Sequence, residues 1–129
     1  MQIHHIGYLV KNLEKSLAQF KALGFEVEKE TKYDDLRQIN ICFVVNEGYR
    51  VELVEPATTD SPMYPLLKRY KNAPYHICYI TDDLAGEMTK LVDMGYSVIN
   101  EPLEAPCIDG RKVAFLLNSS VGMIELVEA

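Results

Sequence analysis

The chain is written twice over. His5-Ile6-Gly7-Tyr8-Leu9-Val10 is answered by His76-Ile77-Cys78-Tyr79-Ile80-Thr81, and Leu13 by Leu84. Leu23-Gly24-Phe25-Glu26-Val27 is answered by Met94-Gly95-Tyr96-Ser97-Val98, all at a spacing of 71 residues. The closing segments Val51-Glu52-Leu53-Val54-Glu55 and Ile124-Glu125-Leu126-Val127-Glu128 match at a spacing of 73 residues, so a small gap near the turns absorbs the difference. Two copies of one supersecondary unit imply a pseudo-twofold relation, which can gather equivalent side chains from distant parts of a chain. Each copy carries a histidine near its start and a glutamate near its end. The residues such a relation would collect are two imidazoles and two carboxylates, which is a metal-ligand set.

Each copy reads βαβββ. In the first, Ile3 to Val10 is β-branched and apolar, hence strand. Asn12 is the N-cap of a helix whose Leu13, Leu17, Phe20 and Leu23 recur at helical spacing, and Gly24 ends it. Phe25 to Thr31 alternates as a strand, Tyr33-Asp34-Asp35 reads as a turn, and Gln38 to Val45 is strand again. Asn46-Glu47-Gly48 turns the chain into a hairpin partner, Tyr49 to Val54. A proline-containing linker follows, with a short helix expected at Tyr64 to Tyr70. The second copy gives a strand over 75–81, a cap at Asp82 or Asp83, a helix over 84–94 stopped by Gly95, and a strand over 96–101. A loop over 102–110 then leads to a strand over 111–117, a turn from Asn118 to Gly122, and a last strand from Met123 to Val127. The organisation predicted is one domain over 1–129, built as module one (1–55), linker (56–74) and module two (75–129).

Composition limits the function classes. A net charge of −6 and a pI near 5.0 disfavour nucleic acid, because a phosphate backbone needs a basic face. No apolar run approaches the roughly 20 residues that cross a bilayer, and the opening MQIHHIGYLV is a strand pattern, not a signal peptide. Cys42, Cys78 and Cys107 are odd in number and widely spaced. Cys42 and Cys78 lie inside apolar strand patterns and read as buried small hydrophobes; the three make neither a disulfide framework nor a CxxC motif, and a reducing cytoplasm is the expected address.

Strand parity selects the candidate ligands. Alternate residues of a strand share a face, so His4 and His5 point opposite ways, and it is His5 that aligns with His76. Glu52 aligns with Glu125 in the same way, each flanked by apolar residues (Val51 and Leu53; Ile124 and Leu126). A carboxylate inside a short apolar strand costs several kcal/mol unless a cation or hydrogen bonds satisfy it. Two nitrogens and two carboxylate oxygens, with no thiolate, suit Zn, Co, Ni, Mn or Fe(II) with water at open positions. Such a centre polarises a carbonyl and stabilises an enediolate or enolate. A ligating glutamate that leaves the metal can serve as the base for a proton alpha to that carbonyl.

The paired βαβββ units, HHIGYLV with its following helix, RVELVEP, YHICYI and GMIELVEA resemble the vicinal-oxygen-chelate superfamily, which includes glyoxalase I, methylmalonyl-CoA epimerase, extradiol dioxygenases and bleomycin-resistance proteins. The resemblance covers the whole chain and fills all four metal-ligand positions: His5, Glu52, His76 and Glu125. RKVAFLLNSSVGMIELVEA most resembles the methylmalonyl-CoA epimerase and lactoylglutathione lyase-like branch. The resemblance implies an α+β fold in which the two modules pair into a cupped eight-stranded sheet, helices outside, around one divalent ion (Zn, Ni, Co or Mn). Extradiol dioxygenases use two histidines and one glutamate, and a fourth ligand at Glu52 would crowd out oxygen and catechol. There remain metal-dependent proton transfer, as glyoxalase-type isomerisation or acyl-CoA epimerisation, and the alternative of a metal-free small-molecule binding or antibiotic-resistance module.

In this reading Glu125 doubles as general base. The epimerase branch places a second carboxylate on the strand entry before the first glutamate ligand. Here the best-aligned position is near Leu36, with Asp35 adjacent, a departure from the family's glutamate. Asp34 and Asp35 otherwise read as a solvated turn. Arg37, Arg111 and Lys112 are candidates for holding an anionic tail of a thioester or oxo-acid substrate. Lys68-Arg69-Tyr70-Lys71 is a basic patch in an acidic protein, suited to a nucleotide-like tail or to a solvated helix face. Exposed edge strands make a homodimer the expected assembly.

Overall fold

A computed structural model describes residues 1–129. The chain divides into two compact units, His5–Tyr75 and His76–Ala129 together with Met1–His4. The first holds β1 (Gln2–Leu9, from His5 onward), α1 (Leu13–Ala22), β2 (Glu26–Asp34), β3 (Ile39–Asn46), β4 (Tyr49–Pro56) and α2 (Tyr64–Tyr70). The second holds β5 (Ala73–Thr81, from His76 onward), α3 (Leu84–Asp93), β6 (Ser97–Ala105), β7 (Arg111–Asn118) and β8 (Gly122–Glu128). Each is βαβββ, as the repeat predicts. No helix is long and apolar enough to cross a membrane.

The strand order is β2-β3-β4-β1 in the first unit and β5-β8-β7-β6 in the second, so corresponding strands occupy corresponding places. β1 runs parallel to β4 with Gly7 opposite Glu52; β5 runs parallel to β8 with Cys78 opposite Glu125. A parallel pair needs a long crossover, which the intervening helix and strands supply. The second copy is longer by one residue in each of two places. Residues 106–110 join β6 to β7 where 35–38 join β2 to β3, and Ser119-Ser120-Val121 replaces the two-residue hairpin Glu47-Gly48. In that shorter hairpin both central residues have positive φ, 51° and 84°, as in the turns that match strand twist.

In each unit the strands give one face to the helix. Leu13 of α1 shares a core with Val10, Cys42, Val44, Val51 and Leu53; Leu84, Met88 and Leu91 of α3 share one with Ala114, Leu116, Ile124 and Leu126. The helices are capped by the expected residues. Asn12 Oδ1 accepts from the Lys15 N–H, and Asp83 Oδ1 from the Gly86 N–H. The first helix has an additional anchor: the Leu13 N–H donates to Glu55 Oε2 at 2.7 Å, and Asn40 Nδ2 donates to Glu55 Oε1 at 3.0 Å. Its counterpart Glu128 is exposed. Glu55→Ala is therefore expected to cost about 1–2 kcal/mol, read as a lowered urea midpoint, whereas Glu128→Ala leaves that midpoint in place.

Two expectations are corrected. The turn predicted at Tyr33-Asp34-Asp35 begins two residues later, because β2 continues through Asp34 with Tyr33 opposite Asn40 and Asp34 opposite Ile39. Ladder pairing with β3 outweighs the turn preference of these residues. The loop predicted over 102–110 is strand as far as Ala105, followed by a 3-10 turn at Pro106–Ile108. Pro102 is tolerated because β6 is the last strand of its order, and a register irregularity lies between Asn100 and Leu103.

Candidate functional site

Both units build the same pair of side chains on the sheet face away from the helix. In the first, β1 presents His5, Gly7 and Leu9 to that face, and β4 presents Glu52. His5 Nε2 lies 3.5 Å from Glu52 Oε1. In the second, His76 Nε2 lies 3.3 Å from Glu125 Oε1. An aromatic ring stands edge-on to each imidazole, Phe43 to His5 at 5.4 Å and Phe115 to His76 at 5.2 Å between centroids. Those phenylalanines are the cross-strand partners of the two glutamates, Phe43 opposite Glu52 and Phe115 opposite Glu125. The duplication thus preserves a constellation of His, Glu and Phe, not only a sequence pattern.

All four polar side chains are buried: His5 is 1% exposed, and Glu52, His76 and Glu125 are 4%. A buried carboxylate is tolerated only with a cation or good donors nearby. In each unit an imidazole nitrogen faces the carboxylate, and imidazole and carboxylate are both metal donors of the borderline-hard kind. The donor types, their burial and their pairing fit a divalent metal. The cross-strand neighbours of the two glutamates differ. Gly7 stands opposite Glu52, and Cys78 stands opposite Glu125.

The remaining candidates fall elsewhere. Asp35 is exposed in the turn after β2, and Leu36 beside it is 58% exposed. Asp34, expected to be solvated, is instead 1% exposed. It receives Arg37 Nη1 at 2.8 Å on Oδ2 and the Arg37 N–H at 3.1 Å on Oδ1. Ser61, also buried, donates its hydroxyl to the Arg37 carbonyl at 2.8 Å. Arg37 is thus occupied by an internal partner, and this Asp34–Arg37–Ser61 cluster is the part of the region that the sequence reading missed. An Asp three residues before an Arg across a strand end was the signal for it. Arg111 is half-buried and Lys112 exposed at the start of β7. No disulfide joins Cys42, Cys78 and Cys107, all of them buried; burial pushes the Cys42 thiol above its usual range.

With this geometry in place, the family model described as the glyoxalase/bleomycin resistance protein/dioxygenase superfamily matches residues 4–115. The mitochondrial methylmalonyl-CoA epimerase of Bos taurus is 27% identical over 132 residues, spanning 99% of this chain and 74% of that protein. The ethylmalonyl-CoA/methylmalonyl-CoA epimerase of Cereibacter sphaeroides is 26% identical over 117 residues, spanning 89% of this chain and 87% of that protein. Among solved structures, a Streptomyces coelicolor methylmalonyl-CoA epimerase variant in complex with 2-nitronate-propionyl-CoA aligns with a TM-score of 0.86 at 24% identity, covering 100% of this chain and 94% of that one. That likeness establishes the eight-stranded α+β fold implied by the family resemblance.

Proposed function

We propose that this chain, which belongs to the glyoxalase/bleomycin resistance protein/dioxygenase superfamily, is a divalent-metal-dependent enzyme that removes and returns a proton on the carbon alpha to a carbonyl. One observation carries the reading: two buried His–Glu pairs stand on equivalent strand positions, with equivalent aromatic neighbours, in the two modules. In this reading His5, Glu52, His76 and Glu125 together hold one Zn, Ni, Co or Mn ion. That ion would supply Lewis acidity, drawing electron density from a substrate carbonyl and acidifying the neighbouring C–H. The Glu125 carboxylate takes the alpha proton and gives it back. Return to the same face exchanges the proton without inversion, and delivery to the adjacent carbon gives glyoxalase-type isomerisation. Inversion needs a second group on the opposite face, a role we assign to Asp35, exposed at the turn after β2.

The relatives at 26% and 27% identity are named for methylmalonyl-CoA and ethylmalonyl-CoA, which favours an acyl-CoA thioester as substrate and epimerisation as the reaction. Because the Asp34 carboxylate already engages Arg37, Arg111 and Lys112 are the better candidates for contact with the anionic substrate.

The test combines metal and turnover. Protein purified without chelator is expected to contain stoichiometric divalent metal by mass spectrometry and to epimerise methylmalonyl-CoA. Chelation should abolish turnover and lower the melting temperature, with both restored by metal. Asp35→Asn should still exchange the alpha proton for deuterium from solvent while losing inversion. Metal-free protein that binds a small molecule and turns over no thioester would replace this reading with a binding module of the same fold.

A further inference from the structure

We infer that Lys68, Arg69, Tyr70 and Lys71, joined by Lys11, form a subsite for the nucleotide end of the acyl-CoA, its adenosine 3′,5′-bisphosphate moiety. The inference rests on the acyl-CoA reading of the substrate and adds the place where the tail is held.

The first observation is charge. Lys68, Arg69 and Lys71 are exposed at the end of α2 and just beyond it. Lys11 is brought to them because its N–H donates to Asn72 Oδ1 at 2.8 Å. None of these four cations engages a carboxylate, in a chain whose net charge is −6. Cations at a helix C-terminus complement its dipole, which accounts for Lys68 and Arg69 alone. It does not account for Lys71, which lies past the helix end, or for Lys11.

The second observation is backbone conformation. Lys71 has φ 62° and ψ −153°, in a region that is nearly reserved for glycine and costs any other residue. Its N–H closes the helix by donating to the Leu67 carbonyl at 2.8 Å, a bond that glycine would make equally well. A lysine held in a glycine conformation therefore points to a use for its side chain. The third observation is an aromatic platform. Tyr70 is 48% exposed, and the Arg69 guanidinium carbon lies 5.3 Å from its ring centroid. A planar cation beside an exposed ring is a surface on which a purine stacks, and the surrounding ammonium groups match a phosphate dianion. A longer polyanion such as RNA would meet the acidic remainder of the chain, so a single nucleotide fits better. Lys71 is also five residues upstream of His76, so the chain itself limits their separation to about 17 Å, less than the length of an extended acyl-CoA.

The test uses the full chain and calorimetric titration with adenosine 3′,5′-bisphosphate, which requires no turnover. The wild-type protein is expected to bind it, more weakly as salt is raised. Lys71→Gly is expected to raise the melting temperature and yet weaken binding by about three- to tenfold, the size of one lost charge-assisted contact. Arg69→Ala should weaken binding without the gain in stability. Wild-type affinity in Lys71→Gly overturns the subsite even if methylmalonyl-CoA is epimerised normally. Conversely, bisphosphate binding that depends on Lys71, in a protein inert toward acyl-CoA thioesters, leaves a nucleotide site standing and removes the epimerase reading.

Discussion

Glu125→Gln is expected to keep the fold and lower turnover by about 10²–10⁴-fold, the usual contribution of a positioned general base. Glutamine has nearly the volume and shape of glutamate. It fills the buried position between Ile124 and Leu126 and can still offer a carbonyl oxygen to a metal, but it cannot accept a proton at neutral pH. Glu52→Gln is the internal control. It removes a carboxylate from the equivalent position of the first module, 3.5 Å from His5, without removing the base. Steady-state turnover should therefore fall much further in the Glu125 variant, while metal content and melting temperature change similarly in both. The different cross-strand neighbours, Gly7 beside Glu52 and Cys78 beside Glu125, are the local asymmetry on which such unequal roles can rest. Equal losses of turnover in the two variants would mean that both carboxylates serve only as ligands, and Glu125 would lose its catalytic assignment.

That these four residues can be singled out at all follows from how strands encode direction. His5 rather than His4 is buried beside Glu52, and Glu125 rather than Glu128 faces His76, because parity along a strand decides the face and the repeat decides the parity. The helices were equally readable, since Asn12 and Asp83 cap where their side chains suggest and Gly24 and Gly95 follow with φ of 100°. Asp34 was not. Tyr33-Asp34-Asp35 has turn composition, and only pairing with Ile39 across the ladder, together with Arg37 folding back onto the carboxylate, turns Asp34 inward. Pro102 misled for a similar reason: a proline argues against a strand, and only its place on the last strand of the order makes it acceptable. Glu55 and its exposed counterpart Glu128 look alike in the repeat, yet only Glu55 caps a helix. Sequence carries direction and periodicity well. It carries poorly which of two similar carboxylates finds a partner, because the partner lies elsewhere in the chain.

Asp34→Ala, at the buried end of β2, should be strongly destabilising, at about 3–5 kcal/mol. The Asp34 side chain is 2% exposed and that of Arg37 is 15%, so truncation leaves a guanidinium largely out of water without its counterion. It also removes the acceptor of the Arg37 N–H and loosens the turn that Ser61 ties down through the Arg37 carbonyl. A loss of this size should lower the melting temperature by roughly 10 °C or more for a chain of this length. Asp34→Asn keeps an oxygen for the Arg37 N–H and removes only the charge, so it should fall between wild type and alanine. The double variant Asp34→Ala/Arg37→Leu should recover part of the loss, because it no longer buries an uncompensated cation. If Asp34→Ala melts within about 2 °C of wild type, the pair behaves as a solvent-screened surface contact, and the turn carrying Asp35 is held by its backbone alone.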